Sequence, residues 1–246
     1  MRKFINLILL TTAVGCTPAA SLNPSPPPQP PQQSNPCPVH LPKGLPTGEP
    51  IANDVILSRD IYCLAADPET KFATFVAYRL DAQTIGTSGA DTDREWQADP
   101  DLNPEITLEP EDYSGAYKGL GVDRGHLAPL ASFKGANWQQ TNYLSNIVPQ
   151  DSGFNRGVWA NLEDYERELG REKPTWVITG TAYLEKMPPL PNADEAHTIP
   201  SGLWKILITD DGTEAFYFGQ DTTATDYRQG AVSVETIESM TGLDFP

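Results

Sequence analysis

The sequence predicts an α+β protein in which an antiparallel sheet forms the core and a few helices pack on it. Two observations lead to this class. Strand-like segments outnumber helix-like ones, and they follow one another without regular alternation with helices. A length of 246 residues with 39% hydrophobic and 20% charged side chains is typical of a globular protein with one sizeable core. No internal repeat or second linker follows Cys37, so residues 37–246 are predicted to form one domain.

The start of the chain is predicted to direct export. Residues 1–16, MRKFINLILLTTAVGC, combine two basic side chains with an apolar run too short to span a bilayer, which is typical of a signal peptide. Their last four residues, AVGC, resemble the lipobox of bacterial lipoproteins, so a lipid anchor on Cys16 is predicted. Cleavage of a plain signal peptide near Ala19 or Ala20 is the alternative. Residues 17–36 contain eight prolines and no charge, and they predict a semi-stiff tether.

The three cysteines of the chain leave one thiol to explain in an exported protein. If Cys16 carries the lipid, Cys37 and Cys63 remain as a pair that an oxidising compartment would join in a disulfide. Closing that loop would stabilise the fold by about 2–4 kcal/mol. The alternative is that both thiols are reduced and buried.

The strands of the domain follow from local patterns. Residues 71–80 are rich in β-branched and aromatic side chains and predict a strand. Residues 82–118, rich in Asp, Gly, Pro and Thr, predict long loops. Residues 142–148 predict a short strand that Pro149 ends. Three further strands are predicted at 175–179, 203–209 and 214–218.

The clearest helix is predicted over residues 155–170, NRGVWANLEDYERELG, because apolar side chains recur at helical spacing. Gly170 stands where a C-terminal cap belongs. Four side chains are spaced four residues apart and are predicted to follow one side of this helix: Asn155, Trp159, Glu163 and Arg167. A Glu163–Arg167 ion pair on a solvated face is the plainer interpretation of that spacing. A last helix is predicted over 234–240, with Ser233 as its N-cap.

The charge of the chain is unevenly distributed. A net charge of −16 argues at first against a nucleic-acid partner, because contacts with phosphates need a basic surface. Residues 118–173, however, carry seven basic and seven acidic side chains, whereas the flanking blocks are acidic. An anion-binding surface is therefore predicted in this middle block, and the acidity of the flanks is attributed to solubility.

Three polar motifs lie in the middle block. The segment 122–130, VDRGHLAPL, brings an acid, an arginine and one of the three histidines of the chain together. Alone it is compatible with a polar turn, because a lone histidine is more often structural than catalytic. The segment 146–150, NIVPQ, comes next, and the helix that starts at Asn155 follows it.

In this order, DRGH, NxxPQ and NxxxWxxLE resemble the DNA/RNA non-specific endonuclease family, which has the ββα-metal (His-Me finger) active site. The resemblance is close over residues 71–173 and looser beyond them. It implies metal-dependent hydrolysis of phosphodiester bonds in DNA and RNA to 5′-phosphate products. It also implies indifference to base sequence, because backbone contacts carry no base information.

The resemblance implies a role for each matching residue. His126 is expected to be the general base that takes a proton from the attacking water, since the reference pKa of imidazole, about 6.5, lies near working pH. Asn155 is expected to be the only direct protein ligand of a Mg²⁺ ion, which Mn²⁺ could replace, and Glu163 to hold the waters of that ion. Asp123 is expected to be structural. Three arginines are expected to stabilise the negative charge of the transition state, namely Arg124, Arg167 and Arg79. Asn146 is expected to position His126 or a phosphate.

Other functions stay open on the residues alone. One is a surface lipoprotein that binds nucleic acid without cutting it, and another is a phosphatase with a similar metal site. A third is an exported structural domain with a chance motif. The expected location is a membrane-anchored lipoprotein, periplasmic or on the cell surface, with free secretion as the alternative.

Overall fold

The computed structural model describes residues 35–85, 94–133 and 138–246 of the chain. The predicted signal peptide, Cys16 and the tether up to residue 34 lie outside the described residues. Within the described ranges, no helix has both the length and the apolar character needed to cross a membrane.

Nine strands are found in these ranges: β1 Val55–Ser58, β2 Cys63–Ala66, β3 Ala73–Leu80, β4 Val122–His126, β5 Ile147–Asp151, β6 Thr175–Ala182, β7 Gly202–Thr209, β8 Gly212–Gly219 and β9 Ala231–Val232. Seven of them form one antiparallel sheet in the order β1-β2-β3-β6-β7-β8-β9, and β4 pairs with β5 in a separate two-stranded ribbon. The predicted antiparallel α+β class is confirmed.

Four α-helices accompany the strands in the described part of the chain: α1 Ala116–Leu120, α2 Ser152–Phe154, α3 Ala160–Glu172 and α4 Val234–Thr241. A π-helical turn, Asn155–Trp159, joins α2 to α3. The other helical segments are 3₁₀ turns at Glu49–Ile51, Pro104–Ile106, Leu130–Ser132, Trp138–Asn142, Leu144–Asn146 and Tyr227–Gly230.

Most strand predictions are confirmed. The predicted strands at 71–80, 175–179, 203–209 and 214–218 correspond to β3, β6, β7 and β8. The last helix is α4, and the Ser233 hydroxyl accepts a hydrogen bond from the Thr236 amide at its start, as predicted for an N-cap. β1 and β2 were not predicted because they are only four residues long.

The predicted strand over 142–148 is confirmed only for its last two residues. Asn142 and Leu144–Asn146 lie in 3₁₀ turns, and β5 begins at Ile147 and continues through Pro149. A proline is tolerated there because β5 has a neighbour on one side only, so the missing N–H leaves no ladder bond unmade. The partner strand β4 consists of VDRGH, a polar segment that gives no alternating pattern.

The predicted helix over 155–170 is divided. At Gly157 the backbone leaves helical geometry (φ −106°, ψ −112°), which separates Asn155 from α3. The change of phase buries Trp159 in the core instead of aligning it with Asn155 and Glu163. Gly170 is not a cap. It packs so closely on β3 that a Cβ would lie 2.8 Å from Leu80 Cβ.

The sheet separates two apolar clusters, because successive side chains of a strand point to opposite faces. On β3, Val76 and Tyr78 face the cluster beneath α3 and the ribbon. Phe75 and Ala77 face the cluster beneath α4. The site described below therefore lies on the α3 side of the sheet.

A buried ion pair joins α3 to the sheet. The Lys205 ammonium on β7 contacts the Glu166 carboxylate, and neither side chain is exposed to solvent. Tyr78 donates its hydroxyl to the same carboxylate at 2.9 Å, and the Ser132 hydroxyl donates at 3.3 Å. The ammonium also lies 4.8 Å from the centre of the Trp159 ring. These contacts determine how α3 lies on the sheet.

A disulfide links Cys37 to Cys63 across 26 residues, so the predicted pairing is confirmed. Cys63 is on β2, and both half-cystines belong to the cluster beneath α4. The bridge therefore ties the segment that enters the domain to the edge region of the sheet.

Reducing this bridge should lower the free energy of unfolding by about 2–4 kcal/mol, because the unfolded chain regains the entropy of a closed loop. Denaturant unfolding with and without dithiothreitol measures the difference. A Cys37→Ala/Cys63→Ala double variant is the control, and its unfolding midpoint should not respond to the reductant. An equal response of both proteins would contradict the assignment.

Candidate active site

A cleft with a volume of about 570 Å³ opens between the ribbon, α1 and the start of α3. Four of the residues predicted to act together line it: Arg124, His126, Asn155 and Glu163. The fold thus brings the three sequence motifs to one place, since NIVPQ supplies the strand that pairs with DRGH.

The ribbon aims Arg124 and His126 into the cleft. On β4 these two residues alternate with Gly125, which faces the buried side chain of Gln150 on β5. A Cβ on Gly125 would come within 2.1 Å of Gln150 Cδ. The Gln150 amide also donates to the His126 carbonyl at 3.3 Å. The glycine and the glutamine therefore pack so closely that position 125 of the ribbon has no space for a side chain.

A hydrogen bond determines which nitrogen of the neutral His126 ring carries the proton. Its Nε2 lies 3.0 Å from the Oδ1 of Asn142, which can only accept. The neutral imidazole consequently carries its proton on Nε2, and no described residue forms a hydrogen bond with Nδ1. Trp96 packs against the same ring, with 5.5 Å between ring centres.

The pKa of His126 is lowered to about 4, mainly by burial, which disfavours the charged ring. The bond to Asn142 opposes the shift, and the positive charge of Arg94 adds to it. The ring is therefore neutral at physiological pH, which is the state in which Nδ1 can take up a proton.

Asp123 orients Asn155 rather than facing the cleft with a free charge. Its Oδ2 accepts from Asn155 Nδ2 at 3.0 Å and from Arg156 Nε at 2.8 Å, and its Oδ1 accepts from Arg156 Nη2 at 2.6 Å. Burial tends to raise the pKa of Asp123, but these bonds outweigh it and hold the pKa below its ordinary value. The amide nitrogen of Asn155 thus donates to Asp123, and no described residue donates a hydrogen bond to its side-chain oxygen, which can therefore accept a ligand in the cleft.

Glu163 is a carboxylate without a hydrogen-bond donor among the described residues. Burial raises its pKa to about 7, although the charge of Lys205 acts against that rise. A partly buried carboxylate and an amide oxygen that line the same cleft form a donor set that suits a hard divalent cation, which prefers oxygen ligands. A bound cation would compensate the desolvation that now favours the protonated acid.

Three arginines line the cleft, and of these Arg156 is paired with Asp123 whereas Arg124 and Arg94 have no carboxylate partner among the described residues. Arg124 donates from Nη2 to the Pro110 carbonyl at 2.7 Å, and its guanidinium lies 5.3 Å from the Tyr113 ring centre and 5.6 Å from that of Trp96. Its buried Nε has no partner in the described structure. Arg94 lines the cleft and acts on the pKa values of both His126 and Asp123.

Arg167 is not among the residues that line the cleft. Its Nη2 pairs with Asp164, so the plainer interpretation of the spacing, a Glu163–Arg167 ion pair, is not what the structure has. Its positive charge nevertheless opposes the rise that burial causes in the pKa of Glu163. One buried guanidinium nitrogen, Nη1, has no partner in the described structure.

The predicted site role of Arg79 does not fit its position. Arg79 follows Tyr78 on β3 and so points to the opposite face of the sheet from α3. There it pairs with Asp81 at 2.6 Å and lies 5.7 Å from the centre of the Trp176 ring. We therefore leave Arg79 out of the catalytic set.

The predicted contact of Asn146 with the His126 ring is made by Asn142 instead. Asn146 is fully buried, and its side-chain hydrogen bonds go to backbone groups. Its Oδ1 accepts from the Ala128 amide at 2.8 Å, and its Nδ2 donates to the carbonyls of Ala128 and Thr141 at 3.0 and 2.9 Å. It holds the chain just after His126, while Asn142 contacts the ring itself.

Three residues of the site were not predicted: Asn142, Arg94 and Arg156. Arg94 had a weak indication, since it is the single basic residue in the acidic segment 91–101. Asn142 begins the segment NYLSN, in which the motif NxxPQ indicates the second asparagine, Asn146, and not the first. Arg156 follows the predicted ligand Asn155 directly, and only the fold shows that it pairs with Asp123.

A two-stranded ribbon that carries a histidine, followed by a helix that carries oxygen ligands, is the arrangement of the ββα-metal nucleases, and this chain has it. Residues 44–246 match the model of the DNA/RNA non-specific endonuclease family, so the chain belongs to that family. Membership makes it a metal-dependent endonuclease of DNA and RNA.

Two curated relatives and one solved structure show the extent of the similarity. A nuclease of Serratia marcescens is 43% identical over 210 residues, covering 81% of this chain and 77% of the relative. A nuclease of Nostoc sp. is 30% identical over 260 residues, covering 96% and 89%. The crystal structure of the EndoG/EndoGI complex superposes with a TM-score of 0.68 at 25% identity, covering 82% of this chain and 87% of that one.

Gly125→Ala should destabilise the protein by about 1–3 kcal/mol, because the added methyl group overpacks the ribbon against Gln150. Nuclease activity should fall with it, since His126 and Arg124 are displaced. Urea unfolding and a plasmid assay measure the two effects. Gly119→Ala is the matched control, since its Cβ would meet Pro191 at an ordinary 3.6 Å. A Gly125→Ala protein that matches this control would contradict the packing argument.

In the metal-free protein the His126 ring should titrate near pH 4 instead of near 6.5. Because the folded pKa lies below the unfolded one, its contribution to stability is complete above about pH 6.5 and is lost as the pH falls towards 4. Histidine NMR signals followed over pH, with His126→Ala for assignment, measure the midpoint. A midpoint at the ordinary value would contradict the assigned burial.

Proposed function

We propose that the protein hydrolyses phosphodiester bonds of DNA and RNA with Mg²⁺ and leaves 5′-phosphate ends. The observation that carries the proposal is the convergence of His126, Asn155 and Glu163 on one cleft with an arginine wall. The family supplies the class of reaction, and the geometry of the cleft supports a role for each side chain.

His126 would act as the general base. Its free Nδ1 takes a proton from the water that attacks phosphorus, and the bond to Asn142 keeps the ring in the required tautomer throughout. As Nδ1 becomes protonated, the Asn142 oxygen continues to accept from Nε2 and stabilises the charged ring. The P–O3′ bond then breaks, the 3′ oxygen takes a proton from a water molecule and leaves as a hydroxyl group, and the phosphate stays bonded to the 5′ oxygen.

Arg124 and Arg94 would hold the phosphate. Their guanidinium groups are permanently charged, and they can donate two hydrogen bonds each to phosphate oxygens. In the transition state an additional negative charge develops on those oxygens, and fixed donors stabilise it without reorganisation. Arg167 would contribute from outside the lining of the cleft by keeping Glu163 ionised.

Asn155 would bind the divalent cation through its carbonyl oxygen, and Glu163 would accept hydrogen bonds from the water shell of that cation. When bound, the cation supplies charge neutralisation at the scissile phosphate and the leaving 3′ oxygen. Asp123 keeps the Asn155 oxygen directed away from the protein by engaging the nitrogen.

The same proposal includes export and tethering. The disulfide between Cys37 and Cys63 supports an oxidising compartment. We propose that the signal peptide is removed before Cys16, that this residue carries a lipid, and that residues 17–36 hold the domain of residues 37–246 off a membrane surface.

His126→Ala should reduce kcat on plasmid DNA and on RNA by at least about 100-fold while the protein stays folded, because the attacking water loses its base. Asn155→Ala should raise the Mg²⁺ concentration needed for half-maximal activity. His197→Ala is the matched control, since that histidine bonds the Leu190 amide and the Glu195 carbonyl outside the cleft.

Chelation by EDTA should abolish cleavage, and Mg²⁺ or Mn²⁺ should restore it. A His126→Ala protein as active as His197→Ala would refute the mechanism. Binding of DNA without any cleavage in the wild type would instead support the alternative of an inactive nucleic-acid-binding lipoprotein.

A further inference from the structure

The cleft has an exposed aromatic ring that the hydrolysis does not use. Tyr117 lies on α1, and 59% of its surface is exposed. Within the described ranges the large hydrophobic side chains that are exposed are Val39, Tyr117, Tyr183 and Leu184, and of these Tyr117 lines the cleft.

Arg156 extends this ring into a platform. Its guanidinium lies 5.2 Å from the centre of the Tyr117 ring, a cation–π distance. The two bonds to Asp123 hold the guanidinium in one orientation, yet 61% of the Arg156 side chain is exposed. The pair therefore presents an exposed ring and a guanidinium whose orientation is held by contacts within the protein.

This platform is connected directly to the reactive centre. The Asp123 carboxylate that holds Arg156 also holds Asn155, the proposed cation ligand. A group that stacks on Tyr117 and Arg156 would thus belong to a nucleotide next to the scissile phosphate.

Nucleobases are the chemistry that suits such a surface. Every base has a flat π face, and stacking on tyrosine or on a guanidinium plane is tolerant of base identity. In a duplex these faces are covered by neighbouring base pairs. Only an unpaired base can present its face to the platform.

We propose that Tyr117 and Arg156 stack an unpaired nucleobase beside the cleavage site and that the enzyme therefore cuts single-stranded nucleic acid more efficiently than duplex. This inference rests on the proposed nuclease function. It assigns to Tyr117 a role in substrate binding, separate from the phosphate contacts of Arg94 and Arg124.

The test uses single-stranded oligonucleotides with one natural central phosphodiester between methylphosphonate linkages. One oligonucleotide carries normal bases, and two others carry an abasic residue on the 5′ or the 3′ side of that linkage. For the wild type, kcat/KM should fall about tenfold when the stacked base is removed. Tyr117→Ala should lose about the same factor on the normal oligonucleotide and should not distinguish it from the abasic one.

Two further variants separate stacking from a structural role. Tyr117→Phe keeps the ring and should retain the wild-type ratio of intact to abasic cleavage. Tyr227→Ala removes the ring of another arginine–tyrosine pair, with Arg228 at 4.6 Å, that is outside the cleft, and it should also keep the wild-type ratio. The advantage of single strand over duplex should shrink in Tyr117→Ala alone.

The outcomes distinguish the inference from the function beneath it. Failure of the wild type to cut the normal oligonucleotide with Mg²⁺ would refute the proposed nuclease. A wild type that cuts intact and abasic oligonucleotides equally, or a Tyr117→Ala protein that keeps the wild-type ratio, would overturn the stacking platform and leave the nuclease in place.

Discussion

The side chains of Glu166 and Lys205 pair where neither reaches solvent, and the position of α3 on the sheet depends on that contact. A buried pair of charges is retained only with good geometry and further hydrogen bonds, and here Tyr78 and Ser132 provide them. Because α3 also carries Glu163 one turn earlier, the same contact locates the carboxylate that faces the cleft. The charge of Lys205 also opposes the rise in the pKa of Glu163, so the Glu166–Lys205 pair affects both the position and the ionisation of that carboxylate.

The ribbon is the second rigid part of the site. Gly125 packs so closely on Gln150 that position 125 has no space for a side chain. This packing holds β4 in place, so its neighbours Arg124 and His126 point into the cleft. Asn142 then selects the ring nitrogen of His126 that stays free. The cleft thus lies between a ribbon and a helix that are each held by buried polar contacts, and its reactive groups need little reorganisation on binding substrate.

The local charge of the cleft differs from that of the whole chain. The protein carries −16, yet arginines line the cleft, and the acids near them are either paired, like Asp123, or desolvated, like Glu163. A nucleic acid would therefore meet attraction mainly at the cleft and repulsion over much of the remaining surface. Such focusing favours contact at the reactive centre over non-specific adsorption elsewhere.

Local composition and residue chemistry encode the α+β class, the strands β3, β6, β7 and β8, and the motifs that contain His126, Asn155 and Glu163, so these features can be predicted from the sequence. Which side chains meet depends on how distant segments pack. Strand alternation turned Arg79 to the far face, a π-helical turn changed the phase between Asn155 and α3, and Asn142 reached His126 from another turn of the chain. These outcomes depend on packing between segments distant in sequence, and no local pattern records such contacts.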